Sequence, residues 1–372
     1  MFFTKSSFSG DRVFALIVLA LVVGGLAMFS SAALGLLARP DGSPWRLALT
    51  QLVLGLLPGI IALLALRFAR PDWIRKAITP FYIIAILLTA SVFIPGIGQT
   101  VNGATRWIDL GFTTVQPSEF LKIATILMIA SFLASAKGKL GNIMTGLVPF
   151  GVIAGIPALI LLAQPNTSTV LIIGATSVAL YFIAGAPWRD FAIIGLGAVV
   201  GLAILVSMRP YLMERVATFI DPSRDPLASG YQIQQSLIAI GSGGALGRGF
   251  GQSAQKFNYL PEPVGDSVFA VFGEEFGFLG TTFIVLLFVA FAARGVAIAA
   301  TAGTAFGAYA ATGLTLLITF SAFLNIGAML GIFPLTGLPL PFVSHGGSAL
   351  LAALASVGII LNVAAHRAKQ KA

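Results

Sequence analysis

About ten runs of close to twenty mostly apolar residues succeed one another along the chain, at 13–37, 47–68, 78–95, 117–136, 146–163, 167–185, 191–208, 267–293, 305–332 and 342–365. A helix rising about 1.5 Å per residue needs about 20 residues to cross a hydrocarbon core about 30 Å thick. Inside that core only helices and closed barrels satisfy their own backbone. The chain is therefore predicted to be an all-α polytopic integral membrane protein, with about ten transmembrane helices in a single domain, 1–372. Composition agrees. Hydrophobic residues make up 57% and charged residues 9%, against about 45–50% and about 25% in soluble domains, so too few polar side chains exist to face water all round. The first run follows Lys5 and Arg12, as the apolar part of a signal peptide would, but it far exceeds the roughly 7–15 residues of such a segment. It is read as a retained anchor.

Cations set the orientation. With the N-terminus cytoplasmic, the inner segments hold thirteen: Lys5, Arg12, Arg67, Arg70, Arg75, Lys76, Lys137, Lys139, Arg189, Arg294, Arg367, Lys369 and Lys371. The short outer segments hold four, Arg39, Arg46, Arg106 and Lys122. That asymmetry places both termini in the cytoplasm. Trp45, Trp73, Trp107 and Trp188 all fall beside a predicted boundary, where amphipathic indoles belong. The net charge of +9 then reads as loop topology, and no nucleic-acid partner is expected. Cys is absent and His345 and His366 are the two histidines, which excludes thiolate chemistry and disfavours a His-based metal site.

One connection is long. Between helices 7 and 8, residues 209–266 stay outside and carry Arg209, Arg215, Arg224, Arg248 and Lys256. A loop of that length in a compact protein is usually functional or disordered. It is read as ordered, because 231–240 has the apolar spacing of a short interfacial helix. A second outer loop, 96–116, is rich in Gly and polar residues and ends at Pro117.

Acidic residues are scarce, and most are outer: Asp41, Asp109, Glu119, Glu214, Asp221, Asp225, Glu262 and Asp266. Without Cys or a promising His, a carboxylate is the plausible general base, and any reaction is expected at the outer membrane boundary. Asp266 stands just before the eighth run; an N-cap is its plainer role. Glu274 and Glu275 lie within that run, where ionisable groups face a polar cavity or pair with a cation on a neighbouring helix. Arg106 and Trp107 suit a snorkelling cation and an interface anchor, or ligand contacts. In 116–119, Glu119 sits in the positive first turn of a helix with Lys122 as partner, a pairing more often structural than catalytic. Glycines at 241, 243, 244, 247, 249 and 251 beside Arg248 and Lys256 suggest a backbone nest for a phosphate, though the spacing fits no known nucleotide fingerprint. The stretch 334–348, with Ser344, is too broken by Pro and Gly for regular helix. It is a candidate cavity wall or a packed turn.

Taken together, 102–108, 116–122, 259–262 leading to Asp266, 273–277 and 339–348 resemble the SEDS family (shape, elongation, division and sporulation), typified by FtsW and RodA. The strings 101–104 and 255–262 are more similar to the division branch, FtsW, than to RodA. The resemblance implies ten helices and a peptidoglycan glycosyltransferase in the bacterial cytoplasmic membrane, active on its outer side. Such an enzyme polymerises the lipid II substrate in cell division or elongation, beside a class B penicillin-binding protein. By position, Asp266 matches the family's essential outer-loop Asp and Trp107 its outer-loop Trp. The chain departs from the pattern at Val264-Gly265, where His-Thr is usual, at Asn166, where Asp is usual, and at His345, where Tyr is usual.

On that reading Asp266 is the catalytic base. It takes the proton from the sugar 4-hydroxyl that attacks the anomeric carbon, with inversion and loss of undecaprenyl diphosphate. Arg106, Arg248 and Lys256 are the cations placed to stabilise the leaving diphosphate. A divalent cation, magnesium or manganese, held by outer carboxylates would share that work, as the family suggests. Trp107, Glu119, Lys122, Glu274, Glu275 and Ser344 complete the candidate substrate-binding set. Two other classes fit the same residues: a flippase for a lipid-linked sugar, using Glu274, Glu275 and Arg106 in a cavity, and a non-catalytic scaffold of the division machinery.

Overall fold

Each apolar run becomes a helix in the computed structural model, which describes residues 11–38, 43–101, 103–109, 111, 113–208, 210–221 and 229–367. The first half holds α1 (Arg12–Leu34), α2 (Pro44–Thr50) running through a π-turn at Gln51–Leu56 into α3 (Leu57–Phe68), α4 (Pro71–Ala90), α5 (Pro117–Ser135), α6 (Leu147–Ala163) and α7 (Thr167–Ile183). The second holds α8 (Trp188–Met208), α9 (Pro210–Ile220), α10 (Ser229–Ser242), α11 (Val268–Ala300), α12 (Ala305–Met329) and α13 (Gly347–Ala365). Eight helices are long and apolar enough to cross a membrane, with α2 and α3 acting as one, and α6 and α7 are shorter apolar helices. Lys5, Arg39, Asp41, Arg209, Arg224, Asp225, Lys369 and Lys371, used in the charge argument, lie outside the described residues. Starts are set locally. Asp11 accepts from the Phe14 N–H at 3.0 Å and Thr304 from the Gly307 N–H at 3.0 Å, while Pro opens α2, α4 and α5, where its missing N–H costs nothing.

Two contacts show that α1 and α11 run antiparallel. Near the end of α1, Ser31 Oγ lies 2.6 and 2.7 Å from the two Glu275 oxygens, in the first part of α11. At the start of α1, Asp11 meets Arg294, late in α11, at 2.7 Å. About twenty helical residues separate Asp11 from Ser31, roughly 30 Å, which is the thickness of a hydrocarbon core. Arg367, just past α13, joins Asp11 at 2.5 Å, so α1 begins and α13 ends at one end of the bundle. Burial alone would raise the Asp11 carboxyl. The bonds from Arg294, the Phe14 N–H and Arg367 outweigh it and hold the group at about 2. A folded value below the unfolded one means the clasp stabilises fully above the ordinary carboxylate range and is lost only as pH falls through about 2.

Small residues bring α3 and α13 together, as expected where lipid supplies no hydrophobic drive between helices. A Cβ on Gly358 of α13 would stand 2.6 Å from the Leu63 carbonyl oxygen, whereas one on Gly195 of α8 meets nothing within 4 Å. Gly358→Ala is therefore expected to force the two backbones apart and to cost about 1–3 kcal/mol, read as a lower thermal midpoint in detergent. Gly195→Ala should leave the midpoint unchanged or slightly raised. None of α8's apolar window is buried within this chain, although Asp190 in its first turn is enclosed and accepts from Tyr181 at 2.7 Å.

Three local expectations are refined. The loop 96–116 folds into β1 (Gly98–Val101), β2 (Ala104–Asp109) and β3 (Thr114–Val115), an antiparallel sheet in that order. The stretch 231–240 is helical, within α10, and packs its buried Ile233, Ser236 and Ala239 into the bundle beside α11 and α12, while Leu237 and Ile238 stay exposed. Finally, α13 begins at Gly347, not at 342, because 331–346 forms no helix.

Candidate active site

Asp266 sits in the last turn before α11, at the end of the bundle opposite the Asp11 clasp. It does not cap the helix: Ser267 holds the N-cap position and makes no side-chain cap bond. The Asp266 carboxylate instead accepts from Gln232 Nε2 of α10 at 3.0 Å, and the same nitrogen donates to Ser267 Oγ at 2.9 Å. Asn325 of α12 fixes the backbone, its amide donating to the Asp266 carbonyl at 2.8 Å and to the Leu338 carbonyl at 2.7 Å. Burial pushes the half-buried Asp266 carboxyl up to about 6, against the Gln232 bond, which lowers it, and with the charge of Glu262, which raises it further. A carboxylate with that value is ionised at neutral pH and is a better base than an ordinary one.

Behind Asp266, α11 breaks. Gly277 has φ 63° and ψ −161°, and the segment 243–249 repairs the interrupted backbone ladder. The Phe278 and Leu279 N–H groups donate to the Gly244 and Ala245 carbonyls at 2.8 and 3.1 Å, and the Arg248 and Gly249 N–H groups donate to the Glu274 and Glu275 carbonyls at 3.0 and 2.9 Å. A Cβ on Gly243 or Gly247 would strike α11 backbone. Gly243 and Gly247 thus serve close backbone approach, whereas a Cβ on Gly241, Gly244 or Gly251 would meet nothing within 4 Å; the Arg248 and Gly249 amides of the expected phosphate cradle are spent on this splice.

The splice buries both glutamates, each with a cation from the loop. Glu275 pairs with Lys256 at 2.7 Å, and both side chains are almost fully enclosed; the ammonium also reaches Ser31 Oγ at 3.0 Å and the Gly251 carbonyl at 2.8 Å. Glu274 pairs with Arg248 at 2.9 Å and accepts from Ser253 Oγ at 2.6 Å and from the Ala254 and Gln255 N–H groups at 3.2 and 3.1 Å. Lys256 therefore has no free donor direction toward a ligand, while the Arg248 side chain stays 45% exposed.

A narrow cleft lies between α5, α12 and α13. Glu119 and Lys122 of α5, paired at 2.8 Å, supply its charges, Ser321 and Ser356 its hydroxyls, and Leu338, Pro339 and Pro341 one wall. The broken stretch is thus a cavity wall and is also pinned as a turn. Ser344 Oγ accepts from the Leu340 N–H at 2.8 Å, and Gln51 of the π-turn bonds both the Ser344 carbonyl and the Gly346 N–H, at 3.3 and 3.0 Å. The start of α5 is tied in by the Gln116 N–H donating to Ser348 Oγ at 3.1 Å. Through Asn325 and Leu338, this wall is one hydrogen-bonded step from Asp266. His345 adds a second link, its N–H donating to the Val264 carbonyl at 2.7 Å.

Arg106 and Trp107 lie on β2, both half-buried. The Arg106 guanidinium binds the Gln164 carbonyl at 3.2 Å and the Pro165 carbonyl, tying the sheet to the α6–α7 turn. Asn166 at that turn reaches Ser118 Oγ at 3.4 Å. Trp45, Trp73 and Trp188 stand in the first turns of α2, α4 and α8 with exposed indoles. No hydrogen bond or ion pair joins Asp266 to Arg106, Trp107, Arg248 or Lys256 among the described residues. Among the described residues no three His, Asp or Glu side chains converge to hold a metal ion, and no step is routed through one.

Gln232, Asn325, Ser253, Ser31 and Gln51 escaped the sequence reading. Ser31, Gln51, Asn325 and Gln232 are polar residues within apolar or apolar-spaced segments, the one signal that could have marked them, since buried polar groups need partners; Ser253 lies in the Gly-rich loop, where no local pattern marks it.

The chain matches the family model described as Cell cycle protein, for FtsW, RodA and SpoVE, over residues 11–369, and it belongs to that family. Stage V sporulation protein E of Bacillus subtilis is 37% identical over 364 residues, 98% of this chain and 99% of that protein. A probable peptidoglycan glycosyltransferase FtsW of a Geobacter strain is 39% identical over 289 residues, 78% of this chain and 79% of the relative. Among solved structures, a chain from a peptidoglycan synthase complex that coordinates polymerization and crosslinking superposes with a TM-score of 0.81 at 29% identity, covering 97% of this chain and 99% of its own. The rod shape determining protein RodA of Thermus thermophilus gives 0.70 at 27% identity, covering 98% and 99%. These relatives support the FtsW/RodA group as a whole and do not separate its branches.

Proposed function

We propose that this chain is a peptidoglycan glycosyltransferase of cell-wall synthesis that polymerises lipid II at the outer face of the cytoplasmic membrane, with Asp266 as general base. Family membership and the two structural likenesses support the glycosyltransferase reading. The observation that carries the mechanism is the placement of Asp266: half-buried, its carboxyl raised to about 6, and one hydrogen-bonded residue from the wall of the Glu119–Lys122 cleft.

In the reaction the 4-hydroxyl oxygen of one sugar forms a bond to the anomeric carbon of another as the bond from that carbon to the diphosphate oxygen breaks. Asp266 takes the hydroxyl proton, and the configuration inverts because attack and departure are on opposite faces. Charge develops on the leaving undecaprenyl diphosphate. The half-exposed guanidiniums of Arg248 and Arg106 are proposed to meet it, each worth a few kcal/mol when well placed. Lys256, bound on every side, acts through Glu275 by holding the splice. Trp107 and Ser344 are proposed to shape the sugar and lipid paths, with Glu119 and Lys122 in the cleft. The orientation from the charge asymmetry, both termini inside and 209–266 outside, belongs to this reading, as do a class B penicillin-binding protein as crosslinking partner and a role in the division branch.

Purified protein with such a partner and labelled lipid II is expected to yield glycan strands, and the same assay with chelator tests whether a divalent cation takes part. Lipid scrambling in vesicles without strands would support the flippase instead. Cells that divide normally on an inactive Asp266→Asn copy would support the scaffold.

A further inference from the structure

We propose that Gln232 is a positioning residue for Asp266: its side-chain amide commits one carboxylate oxygen to the protein and leaves the other for the acceptor hydroxyl. The proposal rests on the assignment of Asp266 as base and deepens it. Gln232 stands on α10, far from Asp266 in sequence, yet its Nε2 donates both to Asp266 Oδ1 at 3.0 Å and to Ser267 Oγ at 2.9 Å. A primary amide nitrogen has two hydrogens, so both are engaged and the orientation of the amide is fixed. The side-chain hydrogen bonds that reach the carboxylate among the described residues, from Gln232 Nε2 at 3.0 Å and Ser267 Oγ at 3.5 Å, both fall on Oδ1. With Asn325 gripping the Asp266 carbonyl at 2.8 Å, both the main chain and one oxygen of the base are held, one from α12 and one from α10.

The chemistry of the holder matters. An Arg or Lys at this place would ion-pair the carboxylate and weaken it as a base. A neutral amide orients it without neutralising it. The groups that face Asp266 are consistent with that arrangement: α10 presents Gln232 and α12 presents Asn325, both uncharged. From its own loop, Glu262 acts on it as a like charge. His345, bonded through its N–H to the Val264 carbonyl, turns its ring onto Phe29 at 5.9 Å between centroids.

The test is an infrared titration of the carboxyl band in the purified full-length protein, taken as the difference from Asp266→Asn so that other carboxyls cancel. Initial polymerisation rates are measured on the same samples. Gln232→Met keeps the length and removes the donors. The Asp266 midpoint is expected to rise by about one pH unit, since a hydrogen bond to the charged form is lost. The rate should fall several-fold at neutral pH through kcat more than KM and recover partly at higher pH. Gln232→Glu, which replaces the donor by an acid, should move the midpoint at least as far and serves if Gln232→Met folds poorly. An unchanged midpoint in a folded variant overturns the proposal. Absence of strands from the wild type would refute the polymerase reading, while the titration would still decide the Gln232 contact.

Discussion

Asp266→Asn is expected to abolish glycan-strand formation from lipid II, a loss of roughly 10²- to 10⁴-fold for a general base, in a protein that remains folded. The substitution keeps the shape of the side chain and its acceptor oxygen toward Gln232 and removes only the ability to take a proton. Its effect on stability separates catalysis from folding. Because the folded carboxyl is raised to about 6, above its unfolded value, keeping it ionised at neutral pH works against folding. Asp266→Asn should therefore melt at the wild-type temperature or above it. A variant both inactive and strongly destabilised would point to a structural role.

Lys256→Met is expected to give the largest loss of stability. The Lys256–Glu275 pair is enclosed at 2.7 Å with Ser31 as third member. Removing one partner leaves an uncompensated buried charge, which costs about 3–5 kcal/mol. The same argument predicts partial rescue. Lys256→Met with Glu275→Leu removes both charges and should recover part of the thermal midpoint, because an apolar pair of similar volume often replaces a buried ion pair without net cost. Equal loss in the single and double variants would show that the ammonium matters through the Gly251 carbonyl and Ser31, not through the carboxylate. Activity should fall with stability in the single variant, since the splice at Gly277 lies less than a full helix turn beyond Glu275 and supports the start of α11.

The helices were legible because their signal is local and continuous: twenty apolar residues in lipid have little choice but to be helical. Asp266 was legible as a lone carboxylate ahead of such a run, although its environment was not. Its holders come from α10 and α12, and no local pattern reports them. The four charges Arg248, Lys256, Glu274 and Glu275 were all visible, but which met which depended on the break at Gly277. That break brings a distant loop against α11, and nothing in the spacing of the charges encodes it. The glycine cluster illustrates a real ambiguity, since an anion nest and a close backbone approach both require residues without a Cβ. Only the positions of the Gly273 and Glu275 carbonyls decide between them. The sheet at 98–115 was missed because its strands are four, six and two residues long, too short for a period-2 pattern to stand out among Gly and Thr.

The pH dependence of the initial polymerisation rate bears most directly on Asp266 as the base. With wild-type protein, its crosslinking partner and labelled lipid II, the rate should be level near neutral pH and fall as pH drops through about 6. That is the sign required when the ionised carboxylate is the active form and its value is raised by burial. A rate that stays constant down to about pH 4.5, or strands made at the wild-type rate by Asp266→Asn, would contradict it.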